Sequence, residues 1–164
     1  MPTMNRDGLL ALYQYNAYAN HLVLDGLAQL SEEEFTRAPS PSHASIRGLV
    51  LHLLEGEAWF LALCQSRTPQ ELTLPTLDDL RRFQRELELE QLAFIPALSE
   101  SDLARDIVGP RSLHFPMWQL LVQAFVHSTH HRAELAILLG QIGHPLPTLD
   151  IILHFIKESG QSWT

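Results

Sequence analysis

Cysteine is nearly absent: Cys64 is the single example in 164 residues. A lone thiol closes no internal disulfide, so the chain must be held by packing, which suits a reducing, cytoplasmic setting. Basic residues are scarce too, with 11 Lys+Arg against 19 Asp+Glu and a formal charge of −8. Phosphate-backbone binding needs clustered Lys and Arg, so this balance argues against a nucleic-acid partner. No stretch reaches the ~18 consecutive apolar residues of a membrane helix. The opening MPTMNRDGLLALYQ lacks the basic region and small-residue cleavage site of a secretory signal. There is no Gly-rich phosphate loop, no G-x-S-x-G and no C-x-x-C, which removes nucleotide-loop, serine-hydrolase and dithiol chemistry. What remains is a chain with 46% apolar residues, long enough to fold as one domain over 1–164. It also holds nine histidines, about twice a usual share.

Apolar residues recur at steps of three and four, the period of a helix with one buried face. A first helix is expected from Asp7 to about Leu30, its inward face being Leu9, Leu12, Asn16, Ala19, Val23, Leu27 and Leu30, with Asn5 or Asp7 as cap. Ser31 and Glu34 have capping-box spacing and open a short helical turn. Residues 36–44, with two prolines, read as a loop. Ser45 caps a second helix to about Ser66, with Leu49, His52, Gly56, Trp59 and Leu63 inward. Thr76 and Asp79 start a third, whose face runs Leu77, Leu80, Gln84, Leu87, Gln91, Phe94 and Leu98. Residues 99–116, broken by Gly109-Pro110, read as a loose hairpin. A fourth helix covers Met117 to about Gln141, with Met117, Leu120, Ala124, His127, His131, Leu135, Leu138 and Ile142 inward, and Gly143 and Pro145 stop it. A last short helix spans about Thr148 to Glu158. The fold class is therefore all-α: an antiparallel four-helix bundle with a short C-terminal helix.

Two of these stripes are interrupted by histidine. His127 and His131 are four apart, so they stack on one helical face, and His52 on the second helix is the natural third partner. Three imidazoles from facing helices can hold one divalent ion and leave a coordination position open, the arrangement of a catalytic site. An ion so held lowers the pKa of a bound water or takes a substrate thiol or oxygen. The competing reading is that each histidine is a core group bonded to a carbonyl, the commoner fate of a single buried imidazole. His130 points about 100° away from the stripe and is a neighbouring contact. Glu55 and Glu134, each three residues past a candidate ligand, are the candidate catalytic groups, either orienting an imidazole or accepting a proton; a surface carboxylate is the alternative. Asn16 and Asn20 read as buried amides satisfied by a neighbouring helix, and Trp59 and Phe60 as packing or a substrate wall. Cys64 reads as a small core residue, and Arg132 as an anion-binding group or a surface ion pair.

Three segments then resemble a known family: Y-N-A-Y-A-N at 15–20, S-I-R-G-L-V-L-H-L-L-E-G-E-A-W-F at 45–60, and H-S-T-H-H-R-A-E-L-A-I-L-L-G-Q-I-G at 127–143. Together they are similar to the DinB/YfiT-like superfamily of four-helix-bundle metal-dependent proteins, over residues 7 to about 158. The resemblance implies a divalent metal, nickel or zinc, on His52, His127 and His131, and a homodimer. It also implies a small-molecule substrate, with several relatives being thiol transferases or isomerases that use bacillithiol, mycothiol or glutathione. The chain departs from the family pattern at Tyr18, Ala133 and Glu134, where Trp, Gly and Gln are usual. The expected function is a metal-dependent enzyme, either an S-transferase using a low-molecular-weight thiol or a hydrolase, acting on small electrophiles. The alternative is a non-catalytic metal-binding protein of a damage-inducible stress response. A dimer face is expected on the first three long helices.

Overall fold

A computed structural model describes residues 4–37 and 42–162. Its helices are α1 (Arg6–Leu27), α2 (Glu32–Arg37), α3 (Ile46–Cys64), α4 (Leu77–Phe94), α5 (Glu100–Leu103), α6 (Met117–Gln141) and α7 (Ile151–Ser159). The starts are set by side-chain caps that satisfy otherwise orphaned backbone N–H groups. Asn5 caps α1, Ser45 caps α3, and Thr76 with Asp79 forms a capping box on α4. The Ser31–Glu34 pair opens α2 in the same reciprocal manner. Of the expected loop at 36–44, Thr36 and Arg37 complete α2, and 38–41 lie outside the described residues. The expected hairpin is a two-stranded antiparallel ribbon, β1 (Asp106–Val108) with β2 (His114–Pro116), in which Ile107 faces Phe115.

The four long helices form a ring in which α1 packs on α4 and α6, and α3 packs on the same two. The two apolar clusters give the directions. Leu9, Phe60, Cys64, Ile95 and Met117 meet at one end, while Leu27, Ile46, Leu49, Leu80 and Leu139 meet at the other. So α3 runs antiparallel to α6, and α1 antiparallel to α4, whereas α3 and α4 point the same way. That last pair requires a return crossover. Residues 65–76 make it, and twelve extended residues reach about 40 Å, more than the about 27 Å of an 18-residue helix. This crossover later supplies one wall of the functional cleft.

Several inward positions differ from the periodic expectation. On α3 the fully buried face is Leu49, Leu53, Leu54, Glu57, Leu61 and Cys64; the stripe of His52, Gly56, Trp59 and Leu63 is only half-buried. An apolar-looking stripe on a bundle helix can line a cleft as well as a core, and periodicity alone does not distinguish them. On α1, Tyr13 takes the inward position expected of Leu12, and on α6, Leu139 replaces Leu138 and Ile142. Helix α1 stops at Leu27, and α4 at Phe94, where Pro96 allows only a turn of 3-10 helix. Large exposed apolar residues occur on α4, α6, α7 and around the ribbon (Leu89, Val126, Ile137, Phe155); of the first three long helices, α1, α3 and α4, it is α4 that carries one among the described residues. No described helix is long and apolar enough to cross a membrane.

Candidate metal centre

Between the two apolar clusters lies a layer of polar side chains, and the histidines sit at its edge. Helix α3 contributes His52, and α6 contributes His127 and His131 one turn apart. One ring nitrogen of each lies within 4.8 Å of the others. The Nε2 atoms of His52 and His127 are 3.1 Å apart. Two nitrogens bound tetrahedrally to one ion at about 2.0–2.1 Å lie about 3.3 Å apart, so the observed spacing fits a shared ion closely. The rings of His127 and His131 stand 4.5 Å apart at 71°.

The chemistry of these donors also fits. Burial, followed by the proximity of His131 and His52, holds the His127 pKa down to about 4. His52 and His131 are lowered as well, again chiefly by burial. All three are therefore neutral at pH 7, the form that binds metal. Nδ1 of His127, on the other side of the ring from the Nε2 that faces His52, is buried without a hydrogen-bond partner among the described residues. Gly56 makes room for that ring: a Cβ there would lie 2.4 Å from His127 Cε1 and 2.6 Å from Nδ1. The residues present thus suit a divalent ion. The competing reading, in which each imidazole bonds a carbonyl, finds no such bond at His52, His127 or His131 among the described residues.

Glu134 lies on the same helix with a carboxylate oxygen 3.5 Å from His131 Nδ1. It also accepts hydrogen bonds from the Ser42 hydroxyl at 2.9 Å, so the segment before α3 is tied to α6. Glu55 is half-buried in the cleft wall and makes no hydrogen bond or ion pair among the described residues. His130 is exposed, its ring 5.0 Å from that of His131, and with His131 and Glu134 it forms a second, overlapping group of donors. His43 escapes the sequence reading because it lies in a loop with no periodicity. Its ring packs 4.5 Å from His52 and 5.8 Å from His131, and its Nδ1 is 2.7 Å from the Ser42 hydroxyl.

A buried network that the sequence reading passed over backs the histidines. Glu57, 1% exposed, accepts hydrogen bonds from Asn20 (2.9 Å), Ser128 (2.7 Å) and Gln91 (2.9 Å). Arg132, also 1% exposed, donates to Asn16 (2.6 Å), Asn20 (2.7 Å) and Thr129 (3.0 Å). Asn20 therefore bridges a buried cation and a buried carboxylate, accepting from one and donating to the other. Asn16 and Asn20 are the buried amides expected, whereas Arg132 is neither a surface ion pair nor an exposed anion seat. Ser128 and Arg132 each follow a candidate ligand by one residue, about 100° around α6, so their bonds fix that helix's rotation and hence the two imidazoles. The signal was present: a Glu and an Arg at inward helical phases, with amides facing them.

The cleft beside the triad has a volume of 580 Å³ and is lined by His52 and His127 together with Glu55, Trp59, Glu71 and Gln123. Trp59 is half-buried in its wall, while Phe60 belongs mainly to the core. Cys64 is buried, and burial raises its pKa to about 12.

In comparison with family models, the one described as the DinB family matches residues 1–159. The fold is similar to the crystal structure of a DinB-like protein, YjoA, from Bacillus subtilis, with a TM-score of 0.67 at 20% identity over 85% of this chain and 96% of that one. No curated protein matches.

Proposed function

The chain belongs to the DinB family, and on that premise we propose that it is a metal-dependent enzyme acting on small electrophiles, with His52, His127 and His131 holding one divalent ion, nickel or zinc. The observation that carries this reading is the meeting of three ring nitrogens within 4.8 Å of one another on the flank of an open 580 Å³ cleft. When bound, the ion supplies Lewis acidity, lowering the pKa of a thiol or water at the position three ligands leave open. The chain's own residues do the rest. The Glu134 carboxylate, 3.5 Å from His131 Nδ1, favours the tautomer with its proton on that atom and Nε2 as the basic one. Glu55, in the cleft wall, is placed to accept the proton of an incoming nucleophile. Trp59 holds an apolar substrate body and thins the water around it.

Cys64 is buried and protonated, so the chain offers no thiol of its own to the cleft. A low-molecular-weight thiol from solution is accordingly the nucleophile in the S-transferase form of the proposal, and water in the hydrolase form. A cytoplasmic setting and a homodimer complete it; Val126 and Ile137 on α6 are among the exposed apolar residues a second copy would cover. The test is a screen of metal-loaded, tag-free protein against thiols and electrophiles. Metal-dependent consumption of an electrophile is expected, and its absence with every thiol and with water contradicts catalysis.

One observation favours the alternative, a non-catalytic metal-binding protein of a stress response. The His43 ring packs 4.5 Å from that of His52, outside the group of three converging nitrogens, and would have to turn to reach the open position. Absorption spectroscopy at the metal edge separates the two: three imidazoles with an exchangeable light ligand support the enzyme, and four imidazoles support the alternative.

A further inference from the structure

Helix α6 presents metal-ligating side chains on two flanks. Besides the inner triad, a second group of three converges among the described residues: His130, His131 and Glu134, with one donor atom of each within 4.8 Å of the others. The pairs His21 with Glu88 and His114 with Asp106, by contrast, bring two donors together and no third among the described residues. His130 and Glu134 are four residues apart, and His131 and Glu134 three, so the helical repeat itself stacks them. His131 is 7% exposed, and its Nδ1 is buried without a hydrogen-bond partner among the described residues, with the Glu134 carboxylate 3.5 Å away. That carboxylate also accepts from the Ser42 hydroxyl, but its two oxygens offer about four acceptor positions. A separate cavity of 460 Å³, lined by Ser42, His130 and Glu134 but by neither His52 nor His127, opens on this flank. Two imidazoles and a carboxylate are a donor set that suits zinc or nickel.

We propose that His130, His131 and Glu134 form a second, weaker divalent-ion site, and that its occupation loosens the ion held by the inner triad. The proposal rests on the inner site as read above, because His131 belongs to both groups. A neutral imidazole has one ring nitrogen free to bind metal. Nε2 serves the triad when the proton is on Nδ1, and Nδ1 serves the outer group when the proton is on Nε2. The ring therefore supports one site at a time. Two divalent ions flanking one imidazole also repel, and the single negative charge of Glu134 offsets that only in part. The outer site is the weaker because His130 is exposed and loses more freedom on being fixed. By linkage, each ion weakens the other to the same degree. Scarce metal thus fills the triad alone, and excess metal speeds its release.

Zinc is the probe, in two measurements on tag-free protein at neutral pH: equilibrium titration, and release of a radioactive zinc ion loaded into the triad. Wild type is expected to take up one ion tightly and a second at least a hundredfold more weakly, so that the second is lost on gel filtration. His130→Ala, at an exposed position, is expected to bind the first alone. His127→Ala is expected to bind the outer ion alone, and more tightly than wild type does. Release of the loaded ion from wild type is expected to quicken at least fivefold as unlabelled zinc is raised, and to ignore unlabelled zinc in His130→Ala. A wild-type titration that stops at one ion, a second ion that survives in His130→Ala, or wild-type release indifferent to excess zinc overturns the proposal. Failure of the inner reading has its own signature: wild type and His127→Ala then titrate identically, and the coupled release falls with it.

Discussion

Burial acts on Cys64 and His127 in opposite directions, and the contrast explains which of them can do chemistry. Desolvation penalises the charged form of each. For the thiol that form is the nucleophile, so a pKa raised to about 12 leaves Cys64 inert. For the imidazole the charged form is the one that repels metal, so a pKa near 4 leaves His127 ready as a ligand. At pH 8 the thiolate fraction of Cys64 falls roughly a thousandfold below that of an unperturbed thiol. Native protein is therefore expected to react with a disulfide reagent at least a hundredfold more slowly than protein unfolded in guanidinium; rates within tenfold would contradict the burial. The same shift predicts a loss of stability as pH rises. The folded state keeps a proton that the unfolded chain releases above pH 9, so Cys64 contributes its stability in full below that pH and loses it between 9 and about 12.

Helix α3 shows what was legible in the sequence and what was not. Its cap, length and single histidine follow from spacing, because capping and the 3.6-residue period are local properties. Which of its two faces meets the core is a tertiary outcome. Leu53 and Leu54 are in, His52 and Trp59 line a cleft, and Glu57 is buried although a carboxylate is ordinarily exposed. Glu55 and Glu57 differ by two residues, so they point to different sides of the helix; only the partners on α1, α4 and α6 make Glu57 the buried one. His43 had no local signal at all, since a loop residue acquires its place through the Ser42–Glu134 bond.

Gly56 gives the element scale its test. Glycine within a helix costs about 0.5–1 kcal/mol relative to alanine, so Gly56→Ala ought to stabilise α3 unless the space is needed. Here the added Cβ would meet the His127 ring at 2.4 Å. Gly56→Ala is expected to lower metal affinity at least tenfold. Gly140→Ala, near the end of α6 with no heavy atom within 4 Å of its added Cβ, is expected to leave affinity unchanged. Equal metal affinity in Gly56→Ala and wild type would show that the ring is not held by that contact.

At the scale of the whole molecule, two apolar clusters enclose a polar layer in which Glu57 and Arg132 are buried. Such a layer contributes little net stability compared with an apolar core, because desolvating charges offsets their attraction. It ties α1, α3, α4 and α6 at one level, and that is the level at which the three imidazoles converge. The crossover at 65–76, forced by the parallel run of α3 and α4, then closes one side of the cleft with Glu71. The site is thus a product of topology as much as of motif.

The most direct measurement is metal stoichiometry and affinity for tag-free protein at neutral pH, wild type beside His52→Ala, His127→Ala, His131→Ala and the control His114→Ala on the exposed ribbon. One divalent ion per chain is expected for wild type and for His114→Ala, with retention lost in each of the other three. Full occupancy in His127→Ala, or no ion bound by the wild type, would contradict the shared-ion site on which the functional reading stands.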